Sequence, residues 1–427
     1  VASFSFRSGN AAKLLRAPLY ALGRLATLVV PRGDRWVFGC GAGVGDGPLE
    51  VWRAAAADGT DAVWLAADDE EASEAAALGM PVVRRDSFRG FWATARARTA
   101  VVAFGLGDVN PYALSGAFVV QLWHGIPLKR IGLDSPETTR SPIPFASGAV
   151  SRALALAYAG SARRIDVVPA SHARIRGRLE SAFALPYGRV VVTGEPRVDP
   201  LSAGAPDQRR AEAVGAVDAA AGSIPEGAAR VLYAPTWRDG EDDPGVPTDD
   251  EWRDIIDVLE RNGAVLYVRS HRLGSGRYAP PTPSARVRDL GSDRLRDITP
   301  ALPAFDVLIT DYSSLLFDAA LVPVPAVMLA PDPEEYAATR GFYGNYEAVA
   351  GGDYARDWPG AVEQLDAVLG DDAERAARIR RAADLSASVH AYRDGGNAER
   401  LYRTVRARLG DGDRRGSAAR YEGKGHA

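Results

Sequence analysis

The chain has 427 residues, 46 % hydrophobic and 25 % charged, with a net charge of −4. That is enough chain for two globular domains, and it lacks the basic field that would recruit nucleic acid. The single cysteine, Cys40, excludes an internal disulfide and a Cys-based zinc site. It suits a reducing compartment and, beside glycines, reads as a small buried filler.

Residues 11–30 are mostly apolar but carry Lys13, Arg16 and Arg24, with Pro18 near the middle. A spanning helix needs about 20 predominantly apolar residues with few charges. Residues 1–30 are therefore read as a membrane-surface helix or as an amphipathic helix packed on its own domain. Apolar runs follow at 35–39, 62–65, 99–104, 117–122, 166–169 and 189–193, with Ala-rich helical stretches at 50–57 and 70–78 between them. Continuous apolar strands alternating with helices predict a parallel α/β sheet. A helical core at 206–221 marks the junction near residue 200. A second alternating series then begins near Arg230, with strands around 230–235, 264–270, 306–310 and 325–329 and a helix over 250–261. The expected organisation is an α/β domain over 31–200 and a second over 201–409, whose final helices could cross back to the first. Residues 410–427 lack aliphatic periodicity and read as a disordered tail.

The chemistry-bearing residues cluster at strand ends, where parallel α/β folds bind ligands. A glycine-rich loop, Gly39–Gly47, follows the first strand but fits neither a dinucleotide loop nor a P-loop. It is read as a flexible loop facing the interdomain cleft. Asp108 follows another strand and is a candidate base or a simple turn residue. The run Trp123-His124-Gly125-Ile126-Pro127-Leu128-Lys129-Arg130 ends a strand on a histidine and adds two cations. Lys129 and Arg130 suit phosphate or an anionic membrane. Thr236 and Arg238 end a third strand. Arg269-Ser270-His271-Arg272 ends a fourth, where arginine forks match phosphate oxygens and an imidazole could move a proton. Finally, Asp311-Tyr312-Ser313-Ser314 leads into a helix, so either serine could cap it and the helix start could hold an anion. Each run alone is equally compatible with capping, a solvated turn or core packing. No Gly-x-Ser-x-Gly elbow, His-Glu-x-x-His or kinase set is present, and no magnesium site is evident.

Taken in order, these strings are specific. The run Trp123–Lys129, then Thr193-Gly194-Glu195-Pro196-Arg197-Val198-Asp199, Leu232–Arg238, Arg269-Ser270-His271, Leu308–Ser314 with Phe317-Asp318, and Arg340-Gly341-Phe342-Tyr343 resemble the CDP-glycerol:poly(glycerophosphate) glycerophosphotransferase family over about residues 100–405. The resemblance implies a GT-B-like fold, two Rossmann-like parallel-sheet domains facing a cleft. It implies a CDP-glycerol or related CDP-alcohol donor, a lipid-linked saccharide or polymer acceptor, release of CMP, and peripheral association with the cytoplasmic membrane face. It requires no cofactor and no metal. The family's catalytic histidines correspond to His124 and His271, and its phosphate-binding serines to Ser313 and Ser314. Thr236, Arg238, Arg269 and Arg340 fall on the donor side. The chain departs from the family at Ile126 (usually Thr), Glu195 (often aromatic), Val198 (often Asn) and Arg272 (usually Pro). Two other functions share these strand-end sites: a nucleotide-sugar glycosyltransferase of the same fold, and a non-catalytic protein that binds CDP-polyol or anionic polymer.

Overall fold

The structure, a computed structural model, describes residues 17–139, 147–236, 243–269 and 278–422. Two parallel sheets organise it. In the first, β1 (Trp36–Phe38), β2 (Ala62–Ala66), β3 (Val82–Arg84), β4 (Thr99–Val102) and β5 (Phe118–Gln121) lie in the order β3-β2-β1-β4-β5. A bridge from Val120 to Val167 extends it toward a parallel pair, β6 (Val168–Ala170) and β7 (Val190–Val192). In the second, β8 (Ala229–Ala234), β9 (Ala264–Val268), β10 (Val287–Asp289), β11 (Val307–Thr310) and β12 (Ala326–Met328) lie in the order β10-β9-β8-β11-β12.

The central strands are buried throughout, β1, β2, β4 and β9 at every residue. Helices on both faces require this of a parallel sheet, which is why these strands read as unbroken apolar runs. The two strands missing from the sequence reading, β3 and β10, are both sheet edges and carry Arg84, Arg288 and Asp289. Charges blunt an edge against unwanted pairing, and they also remove the apolar run that would reveal it.

The last helix, Asn397–Glu422, returns to the first domain, where Leu401, Tyr402 and Val405 pack with Trp36 and Phe38. It runs past residue 409, where the composition turns polar. Its Ala, Arg and Glu residues are good helix formers, so a helix already nucleated and capped can extend through a stretch with no apolar stripe. The cap is Asp199, whose carboxylate accepts from the N–H groups of Asn397 (3.0 Å) and Ala398 (2.7 Å). Beside it Gly194, at φ +79°, has no room for a Cβ because Asn397 occupies that space.

A second tie joins Leu128–Arg130 to Gly341–Tyr343. Arg130 N–H donates to the Gly341 carbonyl and Tyr343 N–H to the Leu128 carbonyl, both at 2.9 Å. At the other extreme of the chain, the helix Ala17–Val29 rests on Tyr112 through Gly23 and through Tyr20, whose ring lies 4.8 Å from that of Tyr112. Its Leu22, Leu25 and Leu28 stay exposed. No described helix is long and apolar enough to cross a membrane.

Asp199→Ala should lower the unfolding free energy by about 1–3 kcal/mol, through the lost cap and two buried N–H groups left without partners. The check is chemical denaturation followed by tryptophan fluorescence.

Candidate functional site

A cavity of about 230 Å³ opens between the domains. The first domain contributes the glycine-rich loop after β1, with Ala42, Val44, Gly45 and Asp46, together with Phe104, His124 and Arg197. The second contributes Arg269, Arg296, Asp297, Ile298 and Thr299. The glycine-rich loop thus faces the cleft. Its Gly43 lies against the Arg296 side chain, which is held by Glu70 (3.1 Å) and Glu74.

His124 follows β5 at a sharp turn. Trp123 takes a φ of +63°, and the His124 ring is sandwiched between Phe104 (4.6 Å between centroids) and Trp123 (4.1 Å). Gly125, at φ +132°, brings this turn against the second domain; a Cβ there would lie 2.9 Å from Ser314 Oγ. Glycine is what allows the approach. Burial, then the Arg197 charge, pushes the His124 pKa down to about 3. Its imidazole is neutral at pH 7.

Asp108 lies behind this turn and does not line the cavity. Its Oδ2 accepts from the N–H groups of Ala103 (2.9 Å), Phe104 (2.7 Å) and Gly105 (3.3 Å). A carboxylate oxygen already holding three donors is a loop brace, and here it fixes the residue that stacks on His124.

Arg197 is the hub of the cavity floor. Its Nη1 binds both oxygens of Asp318 (2.8 and 2.7 Å), its Nη2 donates to Thr299 Oγ1 (3.0 Å), and its Nε lies 3.6 Å from Asp46 Oδ1. Burial works against its charge, but Asp318, Asp46 and Glu195 outweigh burial and hold it protonated. Glu195 is 3 % exposed and its buried Oε2 has no hydrogen-bond partner. Burial pushes its pKa up to about 8, against the pull of Arg197.

On the second domain, Arg269 lines the cavity but commits three N–H groups to the carbonyls of Leu290, Leu295 and Arg296. Thr236 is buried; its N–H donates to Asp311 Oδ1 (2.8 Å), while its hydroxyl has no partner among the described residues. The helix after the serine pair, Leu315–Ala319, is only five residues long. This corrects the expectation of a dipole-bearing helix start. Ser313 Oγ accepts from Leu315 N–H (3.2 Å), leaving Ser314 as the serine that meets Gly125. Lys129 Nζ reaches Tyr336 Oη at 3.3 Å, and Arg130 packs on Gly341. Arg340 ends the helix Pro333–Thr339 as its C-cap. His271 and Arg238 lie outside the described residues. Among the described residues, no group of three or more His, Cys, Asp or Glu is placed to hold a metal.

Sequence reasoning quoted both Arg197 and Asp318 within motifs but gave neither a role. Their signal was a charge on each of two separate strings, and only the fold shows that the charges meet. Asp46, Asp297 and Thr299 carried no such signal.

A family model described as CDP-Glycerol:Poly(glycerophosphate) glycerophosphotransferase matches residues 41–407. The chain is 26 % identical over 296 residues to the teichoic acid glycerol-phosphate transferase of Staphylococcus aureus, covering 68 % of this chain and 70 % of that protein. It is 26 % identical over 298 residues to the teichoic acid poly(glycerol phosphate) polymerase of Bacillus subtilis, covering 69 % of this chain but only 38 % of that protein. It is 27 % identical over 290 residues to a teichoic acid ribitol-phosphate polymerase of Staphylococcus aureus, covering 67 % of this chain and 47 % of that one. Among solved structures, the wall teichoic acid polymerase TagF superposes with a TM-score of 0.71 at 19 % identity, over 94 % of this chain and 96 % of that chain. The likeness confirms the GT-B-like α/β fold.

Glu195 supplies a pH test of this network. Its folded pKa, raised to about 8 from an ordinary 4.5, means that the folded state binds this proton more tightly than the unfolded state. The stabilisation is complete below about 4.5 and is lost as pH rises through about 8. Glu195→Gln should therefore raise Tm at pH 8 and leave it nearly unchanged at pH 5, as read by differential scanning calorimetry.

Proposed function

We propose that this chain, which belongs to the CDP-Glycerol:Poly(glycerophosphate) glycerophosphotransferase family, moves a polyol phosphate from a CDP-linked donor to a lipid-linked saccharide or polymer acceptor and releases CMP. It is a transferase of teichoic-acid-type synthesis. Glycerol phosphate is the favoured group, although the chain is about as similar to ribitol-phosphate polymerases as to glycerol-phosphate ones. One observation carries the reading: the His124-Gly125 turn is seated on Ser314 and Arg197, beside a cavity lined by His124, Arg197, Arg269 and Arg296.

Phosphoryl transfer is governed by positioning and by stabilising charge on phosphate oxygens. At about 230 Å³ the cavity is smaller than the roughly 300–1,000 Å³ of a small-molecule pocket. It suits the diphosphate and the reacting oxygen, with the cytidine held outside it. Ser314 and Arg269 would bind the diphosphate, and His271, two residues along the chain from Arg269, would act with them. His124 would orient or deprotonate the acceptor hydroxyl, or contact the transferred phosphate, its ring held by Phe104 and Trp123. Thr236, with a buried hydroxyl lacking a partner, would contact the donor, joined by Ser313, Arg238 and Arg340. Asp108 acts here as a positioning residue for Phe104 rather than as the base.

The test is CMP release from CDP-glycerol and CDP-ribitol with a membrane-lipid acceptor fraction and EDTA. Acceptor-dependent release is expected to survive EDTA and to fall by about 10²–10⁴-fold in His124→Ala and His271→Ala. Release of a nucleoside diphosphate from a nucleotide sugar instead would select the glycosyltransferase reading.

The exposed face of the helix Ala17–Val29 would sit on the membrane. Leu22 is 62 % exposed, Leu25 59 % and Leu28 74 %, with Arg24 among them. Apolar residues interspersed with cations suit an anionic interface. Replacing Leu22, Leu25 and Leu28 together by Asp should abolish flotation with anionic liposomes, while CMP release from a soluble acceptor analogue stays intact.

A further inference from the structure

Among the described residues three arginines line the cavity, and two of them are fixed in place. Arg197 is bound to Asp318 and Thr299, and Arg269 gives three N–H groups to main-chain carbonyls. The third, Arg296, is held differently. Its Nη2 donates to Glu70 (3.1 Å) and its Nη1 to Glu74, both on the helix Asp69–Ala77 of the other domain. Resting on the transferase reading above, we infer that Arg296 is an exchangeable ligand for the donor diphosphate, whose oxygens compete with Glu70 and Glu74 for its guanidinium.

The contact that must break is a weak one. The Arg296 side chain is 36 % exposed, that of Glu70 83 % and that of Glu74 40 %. Ion pairs between exposed side chains contribute little to stability, because water solvates both charges well when they part. A diphosphate is the stronger partner. It presents several charged oxygens on a compact centre, and a planar guanidinium binds such a group through two N–H groups at once.

The main chain under Arg296 is anchored, while its side chain reaches across the domain boundary. The Arg296 carbonyl accepts from Arg269 Nη2 (2.9 Å), and the neighbouring Asp297 accepts from Thr299 N–H through Oδ1 (2.9 Å). Arg296 is thus tied at its base to another arginine of the cavity wall. Rotation about its side-chain bonds suffices to redirect the guanidinium from the glutamates to a ligand.

The glycine-rich loop after β1 provides the bed on which this arginine lies. Gly43, at φ +92°, occupies the left-handed region that favours glycine, and a Cβ there would lie 2.5 Å from Arg296 Nη1 and 3.1 Å from its Cδ. A Cβ on Gly45 would lie 3.7 Å from Asp297 Oδ2. The spacing of these glycines fits neither a dinucleotide loop nor a P-loop. What they provide is room for an arginine of the opposite domain.

The experiment is a double-mutant cycle on affinity for CDP-glycerol and CDP-ribitol, read by isothermal titration calorimetry. Its members are the wild type, Arg296→Gln, Glu70→Gln with Glu74→Gln, and the triple variant. All three side chains are at least partly exposed, so the variants are suited to fold, and thermal unfolding checks this. Exchange predicts effects of opposite sign. Loss of the arginine removes a charge-assisted contact to phosphate and should weaken donor binding by about 10–100-fold. Loss of the glutamates removes the competitors and should tighten it by about 2–5-fold. In the triple variant the glutamate effect should vanish, which separates competition for Arg296 from a general gain of attraction for an anion. Glutamate changes that weaken donor binding or leave it unchanged would make the contact a mere tie between domains and overturn the exchange. So would a glutamate effect that persists in the triple variant, or an Arg296→Gln protein with unchanged donor affinity. Each of these results leaves the transferase reading intact, because the wild type still binds the donor. A wild type that binds no CDP-polyol would overturn both.

Discussion

The Arg197–Asp318 pair ties the two domains where the chemistry is proposed to occur. Arg197 follows β7 in the first domain and Asp318 lies in the helix after β11 in the second, with side chains 11 % and 1 % exposed. Taking both charges out of water costs several kcal/mol per ion, and the mutual attraction offsets this only with good geometry. Here the geometry is a two-oxygen contact from one nitrogen, with Thr299 taking the second nitrogen. Such a pair is weak evidence for stability but strong evidence for position. Either charge left alone would cost far more than the pair, so the domains are held in the one arrangement that joins them. Because Arg197 also borders Asp46 and His124, the arrangement that satisfies the pair is also the one that assembles the cavity.

The consequences spread outward from that contact. Gly125 can approach Ser314 because the domains are drawn together at Arg197, which itself lies 3.7 Å from where a Gly125 Cβ would be. The bridge between Leu128–Arg130 and Gly341–Tyr343 adds main-chain bonds on one side. On the other, the helix Asn397–Glu422 crosses back under its Asp199 cap. Asp199 is two residues from Arg197, so a single short segment of chain both pairs with the second domain and starts the helix that returns from it.

Much of this was legible in the sequence because it depended on local pattern. Central strands are buried on both faces and announce themselves as apolar runs, whereas β3 and β10 carry the charges of exposed edges and did not. The histidine and serine motifs were visible as strings at strand ends. The short helix Leu315–Ala319 was expected to bind an anion at its start, but length decides whether a dipole accumulates, and nothing local specified where the helix would stop. Arg197 was visible only as one letter of a motif. Its role comes from partners 102 and 121 residues away, and pairing at that separation is a property of the fold. Asp46 was harder still, because its place at the cavity comes from Arg197 and from Asp297, the latter 251 residues away, and such contacts have no sequence pattern.

Burial does opposite things to the ionisable groups around the cavity. It neutralises His124, raises Asp46 to about 6 and Glu195 to about 8, while a ring of carboxylates keeps Arg197 charged. A donor diphosphate entering this site would bring its own negative charge toward Arg197 and Arg269. That would reduce the field that suppresses His124, so its basicity should rise only when the donor is present. The same charge would oppose ionisation of Asp46, as Asp297 and Asp318 already do. Donor binding would thus move His124 toward a working base. In a low-dielectric cavity such shifts are large, because nearby charges are poorly screened there.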